Sequence, residues 1–245
     1  MQKIKTGIYG GSFNPIHNGH IAIAKRMLEL AGLDEIWLIV SPQNPLKTAG
    51  SLLDDRLRLE MMQRALAPYP QLTASDYEFR LPRPSYMWNT LQQLSADHPE
   101  REFTLLIGAD NWTVFDRWYH AADIIAHYPI AIYPRTGSPI DTSTLPPTVR
   151  LYDTGLYDIS STEVREKAAH GEDVSQLVPA EIVDDVKRNY GCLFLAPFYV
   201  AEGSGRGTNE NTIRLGAAEA GDLRYCYVSL SQAAGRNTRA RQGGA

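Results

Sequence analysis

Short runs with β-strand character alternate with helical patterns along the first 191 residues of this 245-residue chain. The strand-like runs span residues 4–9, 35–40, 103–107, 130–133 and 149–152. The helical patterns span residues 19–31, 54–67 with Asp54 as the cap, 85–94, 161–169 and 179–190. Residues 41–53 hold two prolines and no clear period, which predicts a loop. Strands that alternate with helices pair in parallel, so this order predicts an α/β fold with a doubly wound parallel sheet.

The composition changes near residue 191. Residues 192–245 carry a charge of +2 and hold eight of the nineteen glycines, whereas residues 1–191 carry a charge of −6. We therefore expect one folded domain over 1–191 and a flexible, low-information tail over 192–245. Two hypotheses for the tail stay open. It is sequence read past the usual end of the protein after a frame change, or a small module in which 223–230 forms a strand.

Several classes of function are disfavoured by composition. The formal net charge is −4 and no long basic run is present, which argues against a nucleic-acid or anionic-membrane binder. The strongest apolar run, residues 36–40, is too short to span a bilayer, and residues 1–30 do not resemble a secretory leader. Two cysteines, Cys192 and Cys226, provide neither a disulfide framework nor the spacing of a metal site. We expect a soluble, cytoplasmic protein.

The first strand-to-helix turn, residues 10–20, has the sequence GGSFNPIHNGH. Gly10 and Gly11 allow the backbone to approach a ligand closely, and the helix that follows directs its free N–H groups at that ligand, which suits phosphate. His17 and His20 are three residues apart at the helix start, so both imidazoles are predicted to face the same ligand. They could stabilise phosphoryl oxygens as cations or as hydrogen-bond donors. The turn lacks the spacing of a Walker loop or a GxGxxG fingerprint.

A second candidate motif, ISSTEVR, spans residues 159–165 and opens a predicted helix. Serine and threonine at a helix start satisfy free N–H groups, so on its own this motif favours a simple capping box.

Together the two motifs resemble those of the nucleotidyltransferase superfamily, whose (T/H)xGH signature is shared with class I aminoacyl-tRNA synthetases and whose second motif is ISSTxxR. Further segments are similar to bacterial nicotinate-nucleotide adenylyltransferases, and in order they span about residues 4–191. These segments are SPQNPLK at 41–47, PSY at 84–86 with TL at 90–91, IGAD at 107–110, WY at 118–119 and YPRTG at 133–137. The resemblance implies a Rossmann-like fold and transfer of the adenylyl group of ATP to nicotinate mononucleotide, with Mg²⁺ carried on ATP.

The resemblance also implies roles for particular residues. The catalytic set is His17, His20, Lys47 and Arg165. The residues implied to bind ATP are Gly10, Gly11, Ser12, Phe13, His17, His20, Gly108, Asp110, Ile159, Ser160, Ser161, Thr162 and Arg165. The residues implied to bind the pyridine nucleotide are Ser41, Lys47, Tyr86, Met87, Trp118 and Arg135. Taken singly, Lys47 could be a solvated charge, Asp110 a helix cap and Trp118 a core residue.

The chain departs from the family pattern on the pyridine side. Ser41 and Leu46 replace an asparagine and a histidine, and Met87 replaces a threonine whose hydroxyl could donate a hydrogen bond. Nicotinamide mononucleotide and phosphopantetheine therefore stay open as alternative substrates, as does a nucleotide-binding module without turnover. His98, His120, His127 and His170 match no motif and are interpreted as surface or packing residues.

Overall fold

The computed structural model of the protein describes residues 2–42 and 52–191. Within these residues, six strands form one sheet. They are β1 (Ile4–Gly11), β2 (Glu35–Val40), β3 (Leu72–Ser75), β4 (Arg101–Gly108), β5 (Ile130–Tyr133) and β6 (Val149–Leu151). The α-helices are α1 (Asn18–Leu30), α2 (Asp55–Leu66), α3 (Met87–Asp97), α4 (Ala109–Trp112), α5 (Ala121–His127), α6 (Ser161–Ala169) and α7 (Val183–Tyr190). Single turns of 3₁₀-helix span Tyr77–Arg80, Phe115–Arg117, Thr142–Thr144 and Ala180–Ile182.

All neighbouring strands of the sheet are parallel, in the order β3-β2-β1-β4-β5-β6. The chain moves from β1 to one side and later returns to its other side, so Gly7 of β1 is in register with Ile36 of β2 and Thr104 of β4. In such a sheet the loops that follow β1 and β4 diverge to opposite faces. A crevice therefore opens between their carboxyl ends, and this is where open α/β sheets bind ligands.

Helices cover both faces of the sheet and create two apolar cores. Successive strand residues alternate between them: Leu38 packs in one core and Ile39 in the other. Helices α1, α2, α6 and α7 contribute to the first core through side chains such as Met27 and Val164, while α3 and α5 contribute Leu91 and Ile124 to the second. The predicted doubly wound α/β fold is confirmed.

The structure corrects some predicted elements. Strands β2 and β5 and helix α6 have the predicted bounds, but β3, α4 and α5 were not predicted. The sequence of β3 is LTAS, which lacks the apolar run that distinguishes a buried strand. The single helix predicted for 179–190 is divided into a 3₁₀ turn and α7. The predictions for the tail, 192–245, lie outside the described residues. In the part of the chain that is described, no helix is long and apolar enough to cross a membrane.

Asp54 has the capping role that the sequence predicts. Its carboxylate accepts hydrogen bonds from the backbone N–H groups of Arg56 and Leu57, at 3.0 and 3.3 Å. We expect Asp54→Ala to lower the free energy of unfolding by about 1 kcal/mol, since it leaves these donors without their cap. Urea denaturation measures the change, and Glu60→Ala, an exposed site on the same helix, is the control. Equal stabilities of the two variants would contradict the capping role.

Candidate active site

A cavity of about 820 Å³ opens at the carboxyl ends of the central strands. The ends of β1, β4 and β5 form its floor, while the first residues of α1, α3 and α6 form its walls. This position is the crevice that the strand order creates. The cavity therefore joins segments as distant in the sequence as those that hold Tyr9 and Arg165.

The start of α6 is fastened to the loop between β1 and α1. The hydroxyl of Ser161 donates to the carbonyl oxygen of Pro15 at 2.9 Å, and Nη1 of Arg165 donates to the carbonyl oxygen of Asn14 at 2.7 Å. Ser160 caps the helix by accepting from the N–H of Glu163 at 3.1 Å. Ser160 therefore has the predicted capping role. Ser161 and Arg165 hold the N-terminus of α6 at the cavity, which the N-terminus of α1 also faces. Two helix N-termini at one cavity favour an anionic ligand.

His17 and His20 both line the cavity and lie against one another. Their ring centroids are 3.6 Å apart with 26° between the planes, and the backbone N–H of His17 donates to Nδ1 of His20 at 3.3 Å. Phe13 packs its ring against the edge of His20, 5.0 Å between centroids. The three-residue spacing at the helix start therefore places both imidazoles at one site, as the sequence predicts.

The His17 imidazole is uncharged in the free protein at neutral pH. Only 2% of the residue is exposed. Burial, and secondarily the positive charge of Arg135, lower the pKa of His17 to about 3. Of the two roles considered for this residue, the structure favours a neutral hydrogen-bond donor over a cation.

Asp110 and Arg135 face each other across the ends of β4 and β5. Nε of Arg135 is 3.8 Å from Oδ1 of Asp110, and the guanidinium lies 5.4 Å from the ring centre of Tyr133. A Cβ atom at Gly108 would meet Oδ1 of Asp110, so a larger residue there would displace this carboxylate. Both residues line the cavity, and Arg135 lies next to Asp110 although the two were assigned to different substrates.

Aromatic side chains form the opposite wall. Trp118 lines the cavity and packs against Phe115, 4.9 Å between ring centroids, while Tyr86 packs against Tyr119 at 4.7 Å. Met87 extends across to the end of β1, where its Cε would lie 2.7 Å from a Cβ atom at Gly10. The methionine that departs from the family pattern therefore fills the space that Gly10 leaves.

Most of the predicted site residues meet at this cavity. The predicted residues that line it are Gly10, Gly11, Ser12, Phe13, His17, His20, Ser41, Tyr86, Met87, Gly108, Asp110, Trp118, Arg135, Ser160, Ser161, Thr162 and Arg165. Ile159 is not in the wall, because its apolar side chain packs on the core beneath α1. Lys47 lies outside the described residues.

Sequence reasoning missed a buried arginine beneath the site. Arg58 is 1% exposed and donates to the carbonyl oxygens of Ser12, Ser41 (3.0 Å) and Leu53 (2.9 Å). Burial lowers its pKa from the usual arginine value. A signal was present, since Arg58 shares the apolar face of α2 with Met61, Met62 and Ala65 at helical spacing.

A buried glutamate was also missed. Glu78 lines the cavity, is 3% exposed, and accepts hydrogen bonds from Ser85 at 2.8 Å and Thr90 at 3.0 Å. Burial raises its pKa, although hydrogen bonds from Ser85, Thr90 and Ser41 oppose that effect. No sequence pattern identifies it, because it lies on a single 3₁₀ turn.

The protonation of His17 provides a direct test of this geometry. We expect its imidazole resonances to titrate with a midpoint near 3 rather than near the 6.5 of an exposed histidine. Since the folded pKa is the lower one, this group's contribution to stability is complete above pH 6.5 and is lost as the pH falls toward 3. NMR titration measures the midpoint, and His17→Gln identifies the resonances and should flatten this part of the stability profile. A midpoint between 6 and 7 would exclude a desolvated His17.

The comparisons with known proteins agree with this geometry. The cytidylyltransferase-like family model matches residues 8–167. A protein of Bacteroides fragilis named "Probable nicotinate-nucleotide adenylyltransferase" is 51% identical over 174 residues, which are 71% of this chain and 87% of the relative. One of Bacteroides thetaiotaomicron with the same name is 46% identical over 76% of this chain and 92% of its own length.

Solved structures support the fold. The Plasmodium falciparum nicotinic acid mononucleotide adenylyltransferase complexed with NaAD superposes with a TM-score of 0.64 at 21% identity, over 76% of this chain and 95% of its own. At this identity the likeness speaks for the architecture alone. With the family model and the relatives, the chain belongs to the nicotinate-nucleotide adenylyltransferases of the cytidylyltransferase-like family.

Proposed function

We propose that this protein transfers the adenylyl group of ATP to nicotinate mononucleotide, which forms deamido-NAD and releases pyrophosphate. The observation that carries the proposal is the convergence of two helix N-termini and the stacked His17–His20 pair on one cavity with an aromatic wall. The two helix N-termini and the histidine pair suit a triphosphate, and the aromatic wall suits a pyridine ring. Both substrates are small molecules, and an enzyme that uses ATP is consistent with the cytoplasm.

The reaction needs no covalent enzyme intermediate. The 5′-phosphate of nicotinate mononucleotide is already an anionic nucleophile, so no general base is required. A phosphate oxygen forms a bond to the α-phosphorus of ATP, and the bond from that phosphorus to the oxygen bridging the β-phosphate breaks. The electron pair leaves with pyrophosphate. Catalysis then consists of positioning the two phosphates and stabilising charge on the phosphoryl oxygens.

The residues at the helix starts fit these two tasks. His17, as a neutral imidazole, would donate a hydrogen bond to an α-phosphate oxygen, with His20 beside it. Arg165 is anchored to the loop carbonyl of Asn14 and would neutralise charge on the β- and γ-phosphates. We expect Lys47 to contribute a further positive charge, as the family pattern implies.

Magnesium would enter with the nucleotide. Among the described residues, no three His, Cys, Asp or Glu side chains are grouped so that they could hold a metal ion. A Mg²⁺ ion that is held by ATP phosphates and water needs few protein ligands, so the described residues fit a Mg²⁺ ion that ATP carries. When bound, the ion would neutralise part of the charge on the leaving pyrophosphate.

Pyrophosphate release from Mg·ATP tests the proposal. Nicotinate mononucleotide, nicotinamide mononucleotide and phosphopantetheine are offered in parallel, and we expect turnover to be fastest with the first. His20→Ala is the control for contaminating activity, because loss of one transition-state hydrogen bond costs about 10²–10³ in rate. No release with any acceptor would indicate a binding module, and a preference for another acceptor would replace the substrate.

Trp118→Ala should raise the KM for nicotinate mononucleotide while the KM for ATP changes less than about twofold. Stacking of an aromatic side chain on a base contributes about 1–3 kcal/mol, or about 5- to 150-fold in affinity. Trp112→Ala is the matched control: Trp112 also stacks on Phe115, 5.2 Å between centroids, but does not line the cavity. If both variants weakened both substrates equally, Trp118 would be a packing residue.

A further inference from the structure

Glu78 is a buried carboxylate in the cavity wall that the adenylyl transfer does not use. It lies on the 3₁₀ turn after β3 and faces the first turns of α3. Its Oε2 accepts from the hydroxyl of Ser85, and its Oε1 accepts from the hydroxyl of Thr90. Ser41, which follows β2, opposes the effect of burial on the pKa of Glu78. Glu78 thus ties the start of α3 to the 3₁₀ turn in the cavity wall.

The carboxylate determines which way these hydroxyl groups are oriented. An ionised carboxylate has lone pairs and no proton, so each serine or threonine that bonds to it must act as the donor. A hydroxyl has one hydrogen, which is then directed at Glu78. Thr90 is fully buried, whereas Ser41 and Ser85 line the cavity. Toward a ligand, Ser85 therefore presents oxygen lone pairs alone.

A hydrogen-bond acceptor can bind only those parts of the substrate that donate hydrogen bonds. On nicotinate mononucleotide the carboxylate and the ionised phosphate are acceptors, and the donors are the two ribose hydroxyls. Resting on the proposed function, we propose that Glu78 is a positioning residue that presents Ser85 as an acceptor for a ribose hydroxyl of the pyridine nucleotide. The carboxylate of the pyridine ring is then bound elsewhere in the cavity, by groups that donate.

The test uses Glu78→Gln and Ser85→Ala, with affinity for nicotinate mononucleotide measured by titration calorimetry. In Glu78→Gln the side-chain NH₂ donates, so at least one hydroxyl must reverse its hydrogen. A neutral hydrogen bond contributes about 0.5–1.5 kcal/mol, so each variant should weaken nicotinate mononucleotide about 2- to 13-fold and ATP less than twofold. If Glu78→Gln does not fold, Ser85→Ala alone tests whether the Ser85 hydroxyl binds the ribose.

Two controls separate positioning from structural support. Tyr77→Phe changes the neighbouring residue, whose hydroxyl donates to Asp97 at 2.6 Å outside the cavity wall, and should leave both affinities unchanged. The 2′-deoxy and 3′-deoxy forms of nicotinate mononucleotide remove one donor each. The penalty of Ser85→Ala should disappear with at least one of them.

Each result decides the inference. A Ser85→Ala penalty that persists with both deoxy substrates overturns it, as does an equal loss of ATP affinity in Glu78→Gln. Wild-type affinity for nicotinate mononucleotide in Ser85→Ala also overturns it. Binding that follows the expected pattern without pyrophosphate release would contradict the proposed function and leave the ribose assignment intact, so the two failures are distinguishable.

Discussion

The site depends on how the loop between β1 and α1 is held. Three of its carbonyl oxygens accept hydrogen bonds from side chains of other elements: that of Ser12 from Arg58, that of Asn14 from Arg165 and that of Pro15 from Ser161. These donors come from α2 and α6, which are distant in sequence. The loop is therefore held by side chains of two elements that are distant from it in the sequence.

Two buried charged side chains, Arg58 and Glu78, hold much of this loop and the adjoining cavity wall in place. Arg58 has backbone carbonyls as its hydrogen-bond partners, and Glu78 has hydroxyls. Burying an ionised group costs free energy that such polar partners only partly restore. Arg58 donates to the carbonyl of Ser41 and Glu78 accepts from Ser85, so each charge fixes a residue of the cavity wall. The free-energy cost of burying these two charges is consistent with a cavity wall whose precise shape matters for binding.

The sequence predicts the fold and the phosphate side of the site better than the rest. Alternating patterns determine the doubly wound sheet, and the two helix-start motifs contain their cavity-lining residues within a few positions, as His17 with His20 and Ser161 with Arg165 show. Arg58 and Glu78 could not be assigned in the same way. Several of the contacts that define their roles are distant in sequence, such as the 12 residues between Glu78 and Thr90 and the 46 between Arg58 and Ser12. Ile159 belongs to the same motif as Ser161 but packs on the core and does not line the cavity.

The protonation state of His17 bears on how a protein of net charge −4 handles a triphosphate. A buried imidazolium would cost desolvation energy in the free protein, and proximity to Arg135 adds repulsion, so the neutral form is favoured. Positive charge comes instead from arginines that have partners before the substrate arrives: Arg135 beside Asp110, and Arg165 on the Asn14 carbonyl. An anionic ligand would raise the pKa of His17, since it offsets the repulsion from Arg135. The histidine is thus inexpensive to bury in the free protein, and under the proposed function its hydrogen bond to phosphate would strengthen as negative charge accumulates at the helix starts.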